Sequence, residues 1–356
     1  MQAVVLRRPR TLELVDVPVP ALTAPEHVLV KVAACGICGS DLRYWAGENP
    51  WALHTVGRHI DNPPNIILGH EFAGTVVKVN APAYEPLLGC RVGVQPYRVC
   101  GACAFCRSGR HNLCRETIHI GHGQGWGAMD FFPGGYAEYC LAWGDLVYPM
   151  PDPVSFEECA MADIFGVAVH VSGRGRLADG ADVLCIGGGP VGLSVALVAK
   201  AKGARRVFVS ETSATARAVL ARYDVTVIDP SSVPIAQVLE EATGRPAVAA
   251  IFDSVGNRAT LHEALGLLQE GGTYVNLAVH DTPLELNAAA LGSERTITTS
   301  SNAFYSDVRE AYDLIFSGRV AAVPMITDRF PVAEYQQAFD RLLSTPKQAY
   351  KAVLLP

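Results

Sequence analysis

The chain has 356 residues, a net charge of −6, and ample apolar content for a large core. About two domains of roughly 150 residues each are implied. The acidic balance argues against a nucleic-acid surface, no apolar run approaches the roughly twenty residues of a membrane span, and the start MQAVVLRRPRTLELVDVP lacks a signal-peptide core.

In chain order, that start alternates like a strand. HVLVKVAA and AGTVVKV alternate in the same way, in a segment rich in Gly, Pro, Val and His. Residues 1–152 therefore read as an irregular β domain. Beyond Pro149, Pro151 and Pro153 the pattern changes. Strands are expected at Val183–Gly187, Arg206–Ser210, Val225–Ile228, Ala249–Asp253 and Thr273–Ala278, with helices at Val191–Lys202 and Ala214–Tyr223. Such β–α alternation predicts an α/β domain, 153–298, built on a doubly wound parallel sheet. The remainder, 299–356, carries one amphipathic helix near Asp307–Phe316 and ends in AVLLP.

Four cysteines, Cys100, Cys103, Cys106 and Cys114, stand in the run CGACAFCRSGRHNLC. Thiolates spaced two residues apart can surround one tetrahedral cation, and a fourth arriving after a turn closes the cage. A closed structural zinc site in a lobe at about 97–116 is the expectation; an iron–sulfur cluster and unrelated free thiols are the alternatives. Ten cysteines, several at metal spacing, fit a reducing cytoplasm better than a disulfide framework.

VLCIGGGPVGL places Gly187, Gly189, Pro190, Val191 and Gly192 between a predicted strand and a predicted helix. In that context G-x-G-x-x-G predicts a dinucleotide diphosphate at the helix N-terminus. Glu211, at the end of the next strand, can accept hydrogen bonds from a ribose 2′-hydroxyl and would repel a 2′-phosphate, which favours NAD over NADP. A Glu211 that merely sits in the first turn of the following helix is the alternative. Arg217 either lies over the adenine edge or is a plain surface arginine.

CGICGSD holds Cys38, Ser40 and Asp41, and ILGHEFAG holds His70 and Glu71. If the chain brings Cys38 and His70 together, a third ligand, Glu71 or Asp163, would complete a second zinc site with one open position. A buried Cys38 and a hydrogen-bonded core His70 are the alternatives.

CGICGSD, GHEFAG, the four-cysteine run and GGGPVG occur in that order. With them the chain resembles the zinc-dependent medium-chain alcohol dehydrogenases, in particular the polyol and threonine dehydrogenase branch. The resemblance implies a GroES-like β-barrel catalytic domain, a Rossmann NAD-binding domain, a C-terminal segment that rejoins the former, and an active site in the interdomain cleft. It also implies two zinc ions and NAD per subunit, a small-molecule alcohol or ketone substrate, and a homodimer or homotetramer in the cytoplasm. Residue by residue, it makes Cys38, His70 and Asp163 ligands of the catalytic zinc, with Glu71 able to exchange on and off the metal. Asp41 would orient His70, and Ser40 would receive the substrate proton. Cys159 is then a core thiol or a further ligand.

The expected activity is NAD-dependent oxidation of a secondary alcohol, such as a polyol, sugar alcohol or hydroxy acid, to a ketone. A threonine 3-dehydrogenase-like or broad alcohol dehydrogenase is the alternative within the class, and a non-catalytic cofactor-binding protein the alternative outside it. Two departures stand out. Arg43 occupies the place where many relatives carry a proton-relaying histidine; it could instead contact a polar substrate group or a cofactor phosphate. The Tyr44–Pro64 stretch, with Trp45, Trp51, His54 and His59, is long, and His119–Gly135 is unusual. His119, His122 and Trp126 either recognise substrate hydroxyls or pack a loop.

Overall fold

The computed structural model describes residues 1–278 and 283–356. They form two compact units: Met1–Asp163 with Ala311–Pro356, and Ile164–Glu310.

The first unit is dominated by antiparallel sheet. Its largest sheet runs in the order Val147–Pro149, Arg91–Val94, Glu71–Val79, His27–Gly36, Ala352–Leu355 and Asp328–Pro331, with Tyr139–Trp143 also pairing His27–Gly36. The C-terminal apolar run is thus a strand, and Val353 pairs with Gly36. The strand His27–Gly36 is buried along nearly its whole length and is paired on both edges. The alternating N-terminus is two strands rather than one. Gln2–Arg8 turns back on Thr11–Asp16, and Arg10 takes a positive φ of 62° at the turn. Within the long Tyr44–Pro64 stretch, Pro50–Val56 is helical. Asn49 caps that helix by accepting from the Ala52 N–H.

The second unit holds a six-stranded, all-parallel sheet. Its order is Thr226–Ile228, Arg206–Ser210, Asp182–Ile186, Val248–Asp253, Leu268–Asn276, Thr296–Thr299. The chain winds outward twice from Asp182–Ile186, and in sheets of this kind ligands bind outside the strand ends where the order reverses. The apolar sequence of each central strand is explained by its place: Leu184, Ile186, Phe208 and Ile251 pack with Leu239, Leu261 and Leu265 in one core. Two strands extend beyond their expected limits, and the one expected at Thr273–Ala278 begins at Leu268. Among the described residues no helix is long and apolar enough to cross a membrane.

Candidate metal centre and dinucleotide loop

Cys38 ends the extended chain after His27–Gly36 and caps the helix Gly39–Ala46. Its N–H donates to Asp41 Oδ2 at 2.8 Å, so the turn that presents the thiol also fixes the carboxylate. Tyr136 Oη donates to the same oxygen at 2.8 Å, and Asp41 Oδ1 lies 3.4 Å from His70 Nδ1. The other His70 nitrogen, Nε2, lies 3.5 Å from Ser40 Oγ and 3.9 Å from Asp163 Oδ2. Asp41 and His70 are both buried. Burial alone would push the Asp41 carboxyl up, but His70, the Cys38 amide and Tyr136 outweigh it and hold the group below its ordinary range. Burial likewise disfavours charge on His70, yet the Asp41 carboxylate overrides it and raises the imidazole well above its usual value.

Cys38, His70 and Glu71 offer donor atoms that all lie within 4.8 Å of one another. Asp163 stands outside that trio, though it reaches His70 from the first turn of the helix Ala162–Arg174. Burial pushes the Asp163 carboxyl up to about 6, against the pull of His70. Glu71 Oε1 is buried with no hydrogen-bond partner. An orphaned carboxylate oxygen beside a thiol and an imidazole fits a zinc ion. Cys159 is not part of this group. Its sulfur lies 2.7 Å from where a Cβ on Gly93 would be, a position also crowded by Tyr312, and burial raises its thiol to about 12.

The four cysteines of the lobe converge. Cys100 Sγ is 3.5 Å from Cys114 Sγ and 3.9 Å from Cys106 Sγ, and all four sulfurs lie within 4.8 Å of one another. A tetrahedral zinc with bonds of about 2.3 Å requires sulfurs about 3.8 Å apart. The N–H groups of Ala102 and then Cys103 hold the Cys100 thiol down to about 6, whereas burial raises Cys106 to about 12. The set fits a closed structural site.

In the second unit Gly189 precedes the helix Pro190–Ala201 without any side-chain cap, so the first amides of that helix are available to an anion. A Cβ on Gly192 would stand 1.9 Å from the Gly187 carbonyl oxygen, so only glycine lets the helix lie this close to the loop. Glu211 follows the strand Arg206–Ser210. It accepts from the Gly188 N–H at 2.7 Å and from the Ser213 N–H at 2.6 Å, leaving lone pairs for a ribose. Arg217 is not loose over the loop. It donates to the Glu211 and Thr212 carbonyls at 2.9 and 2.7 Å and pairs with Asp229 at 2.7 Å.

Two family models match the chain: the alcohol dehydrogenase GroES-like domain over residues 24–152 and the zinc-binding dehydrogenase over 190–317. Over 330 residues the chain is 31% identical to "Probable D-xylulose reductase A" of Aspergillus clavatus, covering 91% of this chain and 88% of that protein. The chain belongs to the zinc-dependent medium-chain alcohol dehydrogenase family. The family member sorbitol dehydrogenase of Bacillus subtilis is 28% identical over 361 residues, covering 100% and 97%. Alcohol dehydrogenase TADH from Thermus sp. ATN1 superposes with a TM-score of 0.85 at 26% identity, covering 100% and 99%.

Several features of this dehydrogenase escape a reading of the sequence. Lys351 is buried, donates from Nζ to the Ile37 carbonyl at 2.9 Å and pairs with Glu71 Oε2. Its signal was a lone charge inside an apolar C-terminal run. Tyr136, which anchors Asp41, gave no signal beyond its place in PGGYAEY. Arg43 is engaged by Glu48 at 2.7 Å. Trp126 Nε1 donates to the His119 carbonyl at 2.9 Å, and its ring stacks on Trp143.

Proposed function

We propose that this dehydrogenase oxidises a secondary alcohol of a polyol, sugar alcohol or hydroxy acid to a ketone with NAD. The observation that carries this reading is the joining of Cys38 and His70 with acidic rather than further thiolate donors, Glu71 within the trio and Asp163 beside it. The names of the D-xylulose reductase and sorbitol dehydrogenase relatives support the polyol class.

In this reading Cys38, His70 and Asp163 would hold the catalytic zinc, and Glu71 would be a further, exchangeable ligand. Bound there, zinc supplies a Lewis acid that eases deprotonation of an alcohol, and NAD supplies the hydride acceptor. Asp41 keeps the His70 ring oriented through Nδ1. Ser40 Oγ, beside His70 Nε2, takes the substrate proton. Arg43 is paired with Glu48, so it passes no proton outward; water completes that path. Gly187, Gly189, Pro190, Val191 and Gly192 cradle the diphosphate, and Glu211 receives the ribose 2′-hydroxyl. Arg217 braces the Glu211 segment. Cys100, Cys103, Cys106 and Cys114 hold the structural zinc. The edge strand Thr296–Thr299 supports assembly into a homodimer or homotetramer, and the thiol content supports a cytoplasmic setting.

The test is absorbance at the reduced-nicotinamide band with zinc-loaded protein, NAD and a panel of polyols, hydroxy acids, threonine and simple alcohols. Polyol-dependent reduction that disappears in Cys38→Ser supports the reading. Undiminished turnover in that variant would overturn it.

A further inference from the structure

The loop after His119 is pressed against the metal-binding segment. Gly121 has a φ of +79°, and a Cβ there would lie 2.7 Å from the Gly69 carbonyl oxygen and 3.1 Å from the His70 backbone nitrogen. This close approach delivers the next residue, His122, to His70, with ring centroids 4.6 Å apart. His122 also stacks on Tyr44 at 4.5 Å and on His119 at 3.9 Å. The plane of its imidazole is therefore fixed by its neighbours.

Both nitrogens of His122 are buried and have no hydrogen-bond partner among the described residues. His119 differs, since its Nδ1 lies 2.7 Å from the Ile120 carbonyl oxygen. Buried polar atoms are paired in the large majority of cases. A phenylalanine would fill the same stack without leaving two nitrogens unpaired. An imidazole at this place is accounted for by a partner that arrives from outside the chain.

The position says which partner. A nitrogen of His122 lies within 4.8 Å of donor atoms of Asp41 and His70, and His70 is one of the residues proposed to hold the catalytic zinc. The two unpaired ring nitrogens of His122 can serve as one N–H donor and one acceptor, as a neutral imidazole does. A hydroxyl answers both, whereas a carboxylate or phosphate answers only the donor. A polyol carries such a hydroxyl on the carbon next to the one oxidised; 2-butanol does not. We propose that His122 is a specificity-determining residue that hydrogen-bonds the substrate hydroxyl adjacent to the reacting carbon. This rests on the polyol reading above.

The experiment compares zinc-loaded wild type with His122→Phe, using sorbitol or xylitol and 2-butanol with NAD. The expected result is a loss in kcat/KM for the polyol of roughly tenfold to a hundredfold, mainly in KM, with 2-butanol changed much less. Equal changes for the two substrates, or none, would overturn the inference. A lower zinc content in His122→Phe would also overturn it, because the residue would then serve the metal. If His122→Phe does not fold, wild type is assayed with a polyol and its analogue lacking only the adjacent hydroxyl; equal kcat/KM sinks the idea. A wild type inactive on every secondary alcohol defeats the polyol reading first and this inference with it. An active wild type with no change on substitution defeats this inference alone.

Discussion

Lys351 and Glu71 form an ion pair whose side chains are 2% and 0% exposed, although 280 positions separate them in the chain. Burial disfavours charge on Lys351, but Glu71 more than compensates and raises the ammonium above its ordinary value. Removing one partner of a buried pair leaves the other uncompensated, which costs about 3–5 kcal/mol. Lys351→Met should therefore lower the stability of the metal-free protein by about that amount in urea unfolding. The double variant Lys351→Met with Glu71→Leu should recover much of the loss, because both charges are gone. A single variant as stable as wild type would show that the pair contributes nothing.

Glu211 is held between two amide donors, those of Gly188 and Ser213. A 2′-phosphate approaching it would meet a carboxylate already fixed in place. Glu211→Ala should lower the ratio of kcat/KM for NAD over NADP by about tenfold or more, since each 1.4 kcal/mol of lost discrimination is a factor of ten. The NAD term itself should also fall, because the Gly188 amide loses its acceptor. Steady-state kinetics with both cofactors measure this, and an unchanged ratio would remove Glu211 from cofactor selection.

The four-cysteine lobe predicts a local effect rather than a catalytic one. Cys106→Ser should leave the protein with one zinc fewer per chain, and the segment 97–116 should become sensitive to protease. Structural zinc supplies folding free energy directly, and this short segment offers little else in its place: its helices are only Ala104–Arg107 and His111–Leu113. The readouts are metal content and the position of the first cleavage. Full zinc content in the variant would show that Cys106 is not a ligand.

The parts of this molecule legible in its sequence were those in which cause and effect are close along the chain. The strand Arg206–Ser210 is flanked by its own turn and helix, and it occurs where its apolar pattern places it. The glycine loop and the four-cysteine run are contiguous, so spacing alone conveyed their geometry. The metal centre was only half legible. Cys38 and His70 announce themselves as ligand types, but their meeting depends on the pairing of His27–Gly36 with Glu71–Val79, in which Gly36 faces Glu71. That register also brings Glu71 into the trio. Lys351 was harder still, because it reaches Glu71 through sheet pairing that leaves no local pattern. Arg217 shows the limit in another way. Its bonds to Asp229 and two carbonyls, which fix the guanidinium beside Glu211, left no mark in the sequence.

His54 gives the acid response a sign. It sits in the helix Pro50–Val56, where burial first and the nearby Arg43 second depress its imidazole to about 4. The unfolded chain would take up a proton near 6.5, so between about pH 6.5 and 4 the unfolded state binds more protons than the folded one. Stability should therefore fall on acidification through that window. The loss attributable to His54 is at most about 3 kcal/mol, because the side chain is only partly buried. His54→Gln cannot protonate, so its unfolding free energy should decline less between pH 6.5 and 4 than that of wild type. Urea titrations at half-unit pH steps measure the difference. Parallel curves for the two proteins would mean that His54 titrates alike in both states and that the acid response originates in other groups.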